Sequence, residues 1–187
     1  MAIQEAPSSY YDNVFMNSPW FTGGMAEIIY AEIYRRAMID IFDGKRKNIK
    51  IIDLGCGMGM FPDFLMKNDP GKYTYSGLDF SKVSIRLCSG KGYDVRLHDL
   101  RDGIPVDMEY NVITAFETLE HIKDDLKLLS GIRKSTLICL SVPEFDEPSH
   151  MRFFTSIGEV IGRFSNNIKI GKCEKVNRWW YLSGRIK

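Results

Sequence analysis

Residues 49–61 read IKIIDLGCGMGMF. Ile49, Ile51, Ile52 and Leu54 form a short, β-branched apolar run of the kind that suits a strand buried on both faces. Gly55, Gly57 and Gly59 follow at alternate positions, where a chain without Cβ atoms can turn tightly and approach a ligand. Met58, Met60, Phe61, Phe64 and Leu65 then open a helix. The first turn of such a helix presents unpaired N–H groups and a partial positive charge, which favours a ligand bearing a carboxylate or phosphate.

Spacing separates the ligand classes that use such a turn. The dinucleotide fingerprint G-x-G-x-x-G requires a third small residue that would fall on Met60 or Pro62, and neither fits. What stands here is D-x-G-x-G-x-G, beginning at Asp53. This resembles the first motif of the class I S-adenosylmethionine (SAM)-dependent methyltransferases. The resemblance implies that the loop of Gly55, Gly57 and Gly59 holds the methionine part of SAM, with Asp53 fixing the loop or meeting the ligand's amino group through water.

Outward from this turn the chain alternates strands and helices. Strands are expected at 73–78, 93–97, 110–116 and 136–142, with helices at 81–89 and 124–133. Ser81 is positioned as an N-cap. Alternation of this kind gives a parallel sheet with right-handed crossovers, and ligands bind beyond the carboxyl ends of its strands. Residues 167–176 and 178–186 add a hairpin turning at Asn177. The expected fold is α/β: a Rossmann-like, doubly wound, mostly parallel seven-stranded sheet with a C-terminal antiparallel hairpin. Alternation puts Trp179 and Trp180 on opposite faces, so one at most is expected in the core.

The strand ends name candidate residues. Asp79 can accept from both hydroxyls of a ribose, or cap the next helix. Phe80 can stack on an adenine face. Asp99 can accept from the adenine amino group while Leu100 and its neighbours supply a backbone N–H; the alternative is a turn aspartate before Arg101. Phe116, closing the fourth strand, completes the cofactor set.

The resemblance sharpens at residues 115–125, AFETLEHIKDD, and 141–160, SVPEFDEPSHMRFFTSIGEV. Glu120, His121, Asp124 and Asp125, then Pro143, His150, Phe154 and Thr155, are similar to the quinone-biosynthesis type of small-molecule methyltransferase. Where that family carries an aspartate early in the fourth strand, this chain has Asn111. The reaction it implies is transfer of a methyl group from SAM to a small-molecule or lipid- or sugar-linked acceptor, on oxygen, leaving S-adenosylhomocysteine (SAH). A neutral acceptor hydroxyl needs a base, and His121 and His150 are the candidate catalytic residues, with Tyr10, Tyr11 and Glu117 as further walls. A non-catalytic SAM-binding partner subunit, or another transferase on the same fold, is the alternative.

The chain of 187 residues suits one domain, and a net charge of +1 gives no support for nucleic-acid binding driven by phosphate contacts. Seven Lys or Arg between 163 and 187 face one acid, Glu174, and read as a solvated strand face. Cys56, Cys88, Cys139 and Cys173 lack metal-ligand spacing, and a reducing cytoplasm is inferred. No apolar stretch is long enough to span a membrane, and no signal-peptide pattern is present. Asp99, Glu117 and Asp146 do not single out a metal site, so metal-independent transfer is expected. Residues 1–48, aromatic and then amphipathic over 25–42 up to Gly44 and the basic run Lys45, Arg46, Lys47, are expected to cap the acceptor side. Residues 49–187 form the SAM-binding core.

Overall fold

The structure is a computed structural model that describes residues 5–22, 25–44, 46–68 and 70–187. Lys45, assigned to the helix-ending basic run, and residues 1–4 and 23–24 of the aromatic segment lie outside the described residues. In chain order the elements are α1 (Ser8–Asn17), α2 (Pro19–Thr22), α3 (Met25–Ile41), β1 (Ile49–Leu54), α4 (Met60–Asn68), β2 (Tyr73–Asp79) and α5 (Lys82–Gly90). They continue with β3 (Val95–Leu97), β4 (Val112–Phe116), α6 (Asp125–Ser130), β5 (Leu137–Pro143), α7 (Ile157–Phe164), β6 (Ile168–Val176) and β7 (Trp179–Ile186).

The seven strands form one sheet in the order β3-β2-β1-β4-β5-β7-β6. β1 runs parallel to both β2 and β4, β4 runs parallel to β5, and β7 pairs antiparallel with β5 and β6. The expected doubly wound sheet with its C-terminal hairpin is therefore present. Asn177 turns the hairpin at a φ of 56°, a left-handed conformation that asparagine tolerates better than most residues. Several elements are shorter than their periodicity: β3 begins only at Val95, and α6 stops at Ser130 because Gly131 follows as its C-cap.

Each face of the sheet carries its own core. Ile52, Leu54, Ile113, Ile138, Leu140, Leu182 and Phe164 pack on one side. On the other, α3 lays Tyr30, Ile33, Tyr34, Ala37 and Ile41 against Ile51, Val112, Cys139 and Tyr181. Trp179 and Trp180 do point to opposite faces, yet both are buried, at 4% and 7% exposure, which corrects the expectation that one at most is core. Alternation identifies a wet face only when one side of a sheet is open, and β7 lies between β5 and β6 with packing on both sides.

Local chemistry fixes the helices that matter for the site. Ser81 caps α5 as expected, its Oγ accepting from the Ser84 N–H at 3.1 Å. Asp40 on α3 accepts from the Tyr181 and Ser183 hydroxyls and from Lys172, tying that helix to β6 and β7. Lys172, Lys175 and Arg163 pair with Asp40, Glu144 and Asp125, so much of the basic C-terminal stretch is matched within the fold. Asn111 bridges the starts of β1 and β4, accepting from the Lys50 N–H and donating to the Asn48 carbonyl. It sits at the opposite end of the strands from the candidate ligand site, so the missing aspartate removes no contact there.

Candidate functional site

The carboxyl ends of β1, β2 and β4 open into a cavity of about 930 Å3, roofed by α1 and α2 and closed on the far side by the segment after β5. Its volume lies within the range of small-molecule sites. Asp53, Gly55, Gly57, Asp79, Phe80, Asp99, Leu100, Phe116, His121 and His150 all line it. Gly59 does not; at a φ of +78° it turns the chain beside Cys88 and Tyr93, where an added Cβ would lie 3.0 Å from the Cys88 sulfur. Its role is to build the loop, not to wall the cavity.

The glycine loop is held from several directions. Gly55 has a φ of +70°, and a Cβ there would sit 2.5 Å from the Thr118 hydroxyl oxygen, so only glycine fits. The Gly57 N–H donates to Asp79 Oδ2 at 2.9 Å, and the Ser84 hydroxyl and Cys88 thiol donate to its carbonyl. Asp79 Oδ1 accepts from the Ser81 N–H at 2.8 Å. Asp79 thus braces the loop against the start of α5, with lone pairs remaining toward the cavity. Asp53 accepts from the Thr114 and Tyr75 hydroxyls at 2.6 and 2.9 Å. Burial raises the carboxyl of Asp53 to about 7 and that of Asp79 upward, in each case opposed by these hydrogen bonds.

Asp99 takes the turn position weighed against its adenine role. Its carboxylate caps a 3-10 turn at Leu100–Asp102 and pairs with Arg101, which holds it below the usual carboxylate range. Arg101 in turn meets Glu5, whose other oxygen accepts from the Lys123 N–H at 2.6 Å. Asp12 on α1 accepts from the Ser81 hydroxyl and the Val83 N–H. These contacts moor α1 over the loop, where the Tyr11 ring lies 5.3 Å from Phe80 and 5.5 Å from His121. The aromatic N-terminal segment shows no clean period in sequence because α1 buries no residue fully; Tyr10, Tyr11, Val14 and Phe15 line the cavity instead.

At the far end Glu117, His121 and His150 line the cavity, and Glu120 is buried beside His121. His121 Nδ1 lies 3.0 Å from the Ser149 carbonyl, and His150 Nδ1 3.2 Å from the Phe145 carbonyl. A carbonyl only accepts, so each Nδ1 carries the proton and each Nε2 keeps its lone pair. Burial lowers His121 to about 4 and His150 likewise downward, which keeps both imidazoles neutral. Glu120 is fully buried, and neither carboxylate oxygen finds a hydrogen-bond partner. Glu117, at a φ of 51°, accepts from the Ser141 hydroxyl and the Trp179 indole, and burial raises its carboxyl to about 8. Spacing in the sequence shows no ligand set, but the fold brings potential ligand atoms of Glu120, His121 and His150 within 4.8 Å of one another. Glu120 was missed as a site residue. The signal open to the sequence was its place beside His121 at the end of a buried strand.

Comparison with known proteins identifies the family and the fold. A family described as "Methyltransferase domain" matches residues 26–182. The chain belongs to the methyltransferase-domain family. Its fold is the class I, SAM-dependent type. A trans-aconitate 2-methyltransferase of Mycolicibacterium gilvum is 29% identical over 130 residues, covering 66% of this chain and 50% of that protein. The chain thus spans about half the length of the curated relative it matches. Among solved structures, a SAM-dependent methyltransferase from Aquifex aeolicus superposes with a TM-score of 0.68 at 15% identity, over 98% of this chain and 100% of that one. The methyltransferase bound to the Haloferax volcanii Trm112 activator gives 0.75 at 12% identity, over 98% and 99% of the two chains. Likeness at this identity shows the shared fold. Among the described residues no helix is long and apolar enough to cross a membrane.

Proposed function

We propose that this domain binds SAM along the glycine loop and transfers its methyl group to an oxygen of a small-molecule acceptor held beneath α1. The observation that carries the reading is the convergence of Asp53, the Gly55–Gly57 loop, Asp79 and Phe80 on one cavity that ends at two neutral histidines. Asp79 has lone pairs left for the ribose hydroxyls, Phe80 offers a face to the adenine, and Asp53 lies where a ligand ammonium would balance its buried charge. Leu100 and Asp99 close the adenine end, and Phe116 forms part of the floor. The relative that acts on trans-aconitate and the structure of a plantazolicin methyltransferase in complex with SAH fit a small-molecule acceptor and this cofactor.

In methyl transfer the acceptor oxygen attacks the methyl carbon, the C–S bond breaks, and the sulfonium becomes a neutral thioether. The activated methyl group leaves the protein with alignment and water exclusion as its main tasks. Tyr11, Trp20, Phe21, Tyr30 and Trp179 give the acceptor end an aromatic lining suited to both. His121 and His150 present their Nε2 lone pairs to the acceptor and assist loss of its proton. α1 and α2 cap the site, and α3, which covers the sheet, also lends Ile29, Tyr30 and Tyr34 to the lining. The absence of a nucleic-acid partner and a cytoplasmic setting are part of the same reading, consistent with the balanced charge and free cysteines.

Calorimetric titration of the purified chain with SAM, SAH and a nicotinamide dinucleotide tests this, repeated on Asp79→Ala. Micromolar binding of SAM and SAH, lost in the variant, is expected. Binding of the dinucleotide in their place overturns the reading.

A further inference from the structure

The geometry points to a divalent cation site at the acceptor end of the cavity, formed by Glu120, His121 and His150. Each histidine commits Nδ1 to a backbone carbonyl and leaves Nε2 free, the arrangement in which metal-binding imidazoles are oriented by an outer partner. His121 Nε2 lies 3.9 Å from Glu120 Oε1, and the two imidazole rings are 5.0 Å apart. Potential ligand atoms of all three residues fall within 4.8 Å of one another. Bonds of about 2.0–2.1 Å to a tetrahedral ion require a spacing of roughly 3.4 Å, so the side chains need to close by little more than an ångström.

The carboxylate of Glu120 supplies an independent argument. Both its oxygens are buried without a hydrogen-bond partner, whereas the buried carboxylates of Asp53, Asp79 and Glu117 are matched. A buried, unpaired carboxylate is costly, and a cation beside it removes the cost. Arg152, whose charge bears on Glu120, spends its hydrogen bonds on the carbonyls of Leu119, Ile122 and Lys123 and pairs with Asp125. Two imidazole nitrogens and one carboxylate form a donor set for first-row transition ions such as zinc, manganese, iron or cobalt, and a poor one for magnesium or calcium. Three protein ligands leave positions open toward the cavity for water or an acceptor oxygen. On the methyl-transfer reading, an acceptor hydroxyl ligated there loses its proton more readily. With an ion bound, His121 and His150 hold it and the acceptor's proton passes to water; without one, their Nε2 atoms remain the bases.

The test uses the full chain, stripped with a chelator and titrated with Co2+, whose visible absorption reports imidazole and carboxylate ligation. One equivalent is expected to bind, Zn2+ to displace it and Mg2+ not to compete. Affinity is expected to fall roughly 100-fold or more in His121→Ala, His150→Ala and Glu120→Gln. Circular dichroism and SAM titration of the same metal-free samples show that each variant is folded. His150→Asn serves as a smaller change if His150→Ala is not. Absence of a Co2+ spectrum, a spectrum unchanged in all folded variants, or equal competition by Mg2+ overturns the site. SAM binding without Co2+ binding rejects the metal site alone, and Co2+ binding without SAM binding rejects the cofactor reading alone.

Discussion

At the glycine-loop end of the cavity Asp79 meets two backbone N–H groups and Asp53 meets two hydroxyls, whereas at the opposite end Glu120 meets no donor. The three carboxylates are buried to a similar degree, with exposures of 3% for Asp53, 6% for Asp79 and 0% for Glu120. The difference lies in who supplies their partners. A carboxylate saturated by its own chain shapes the backbone, and its removal leaves orphan donors. One left bare depends on something that arrives from outside, so its removal costs the isolated chain little.

The largest effect that would sharpen this contrast is expected from Asp79→Ala. Two buried N–H groups lose their acceptor, which lowers stability by about 2–4 kcal/mol in denaturant titrations and weakens SAM binding by roughly 100-fold or more. Retention of binding would break the contrast.

Next in size is a pH effect from Asp53. Burial lifts its folded-state carboxyl from 3.8 to about 7. Between these values the folded chain keeps a proton that the unfolded chain has released. Stability therefore falls as pH rises from about 4 to about 7 and levels off above, by at most on the order of 4 kcal/mol. Buried Asp79 and Glu117 have raised carboxyls and add with the same sign. Denaturant midpoints at about pH 5 and about pH 8 should show the decline, and Asp53→Asn should flatten it. A steeper decline in the variant would refute the assignment.

Glu120→Gln should change the stability of the metal-free chain by less than about 1 kcal/mol in either direction, because no hydrogen bond is lost. A loss as large as that of Asp79→Ala would mean that Glu120 is held by the chain after all. The smallest effect is expected from Asp99→Asn. Asp99 and Arg101 form a partly exposed pair, with side-chain exposures of 31% and 50%, and thermal unfolding should register less than about 1 kcal/mol.

The sheet and the glycine loop were legible in the sequence because both are local: β-branched runs, punctuating glycines and the Ser81 cap speak within a few residues of themselves. Asp53 and Asp79 could be placed because strand ends follow from strand positions. Burial on both faces of β7 could not, since the neighbour that covers Trp179 comes from α3, far away in the chain. The same limit hid the far end of the cavity. Glu120 and His150 are separated by a helix and a strand, and only the return of the chain after β5, where the Met151 N–H donates to the Glu120 carbonyl, brings them together. For Asp99 its place after the third strand offered both a ligand contact and a turn role beside Arg101; the carboxylate caps the turn and pairs with Arg101 while still lining the cavity.

Trp179 and Trp180 carry one more consequence, for the order in which the protein is assembled. Adjacent in the chain, they enter different cores, and the strand that bears them is inserted between β5 and β6 and not added at an edge. A nascent chain that has produced the whole parallel half of the sheet still has an unpaired β5 and two incomplete cores. Sealing them requires residues 179–185 to pair with residues 137–143. This domain therefore closes from its late segment inward, through contacts of long sequence separation that form slowly, and β5 is the edge that a chaperone or a second unfinished chain would meet during synthesis.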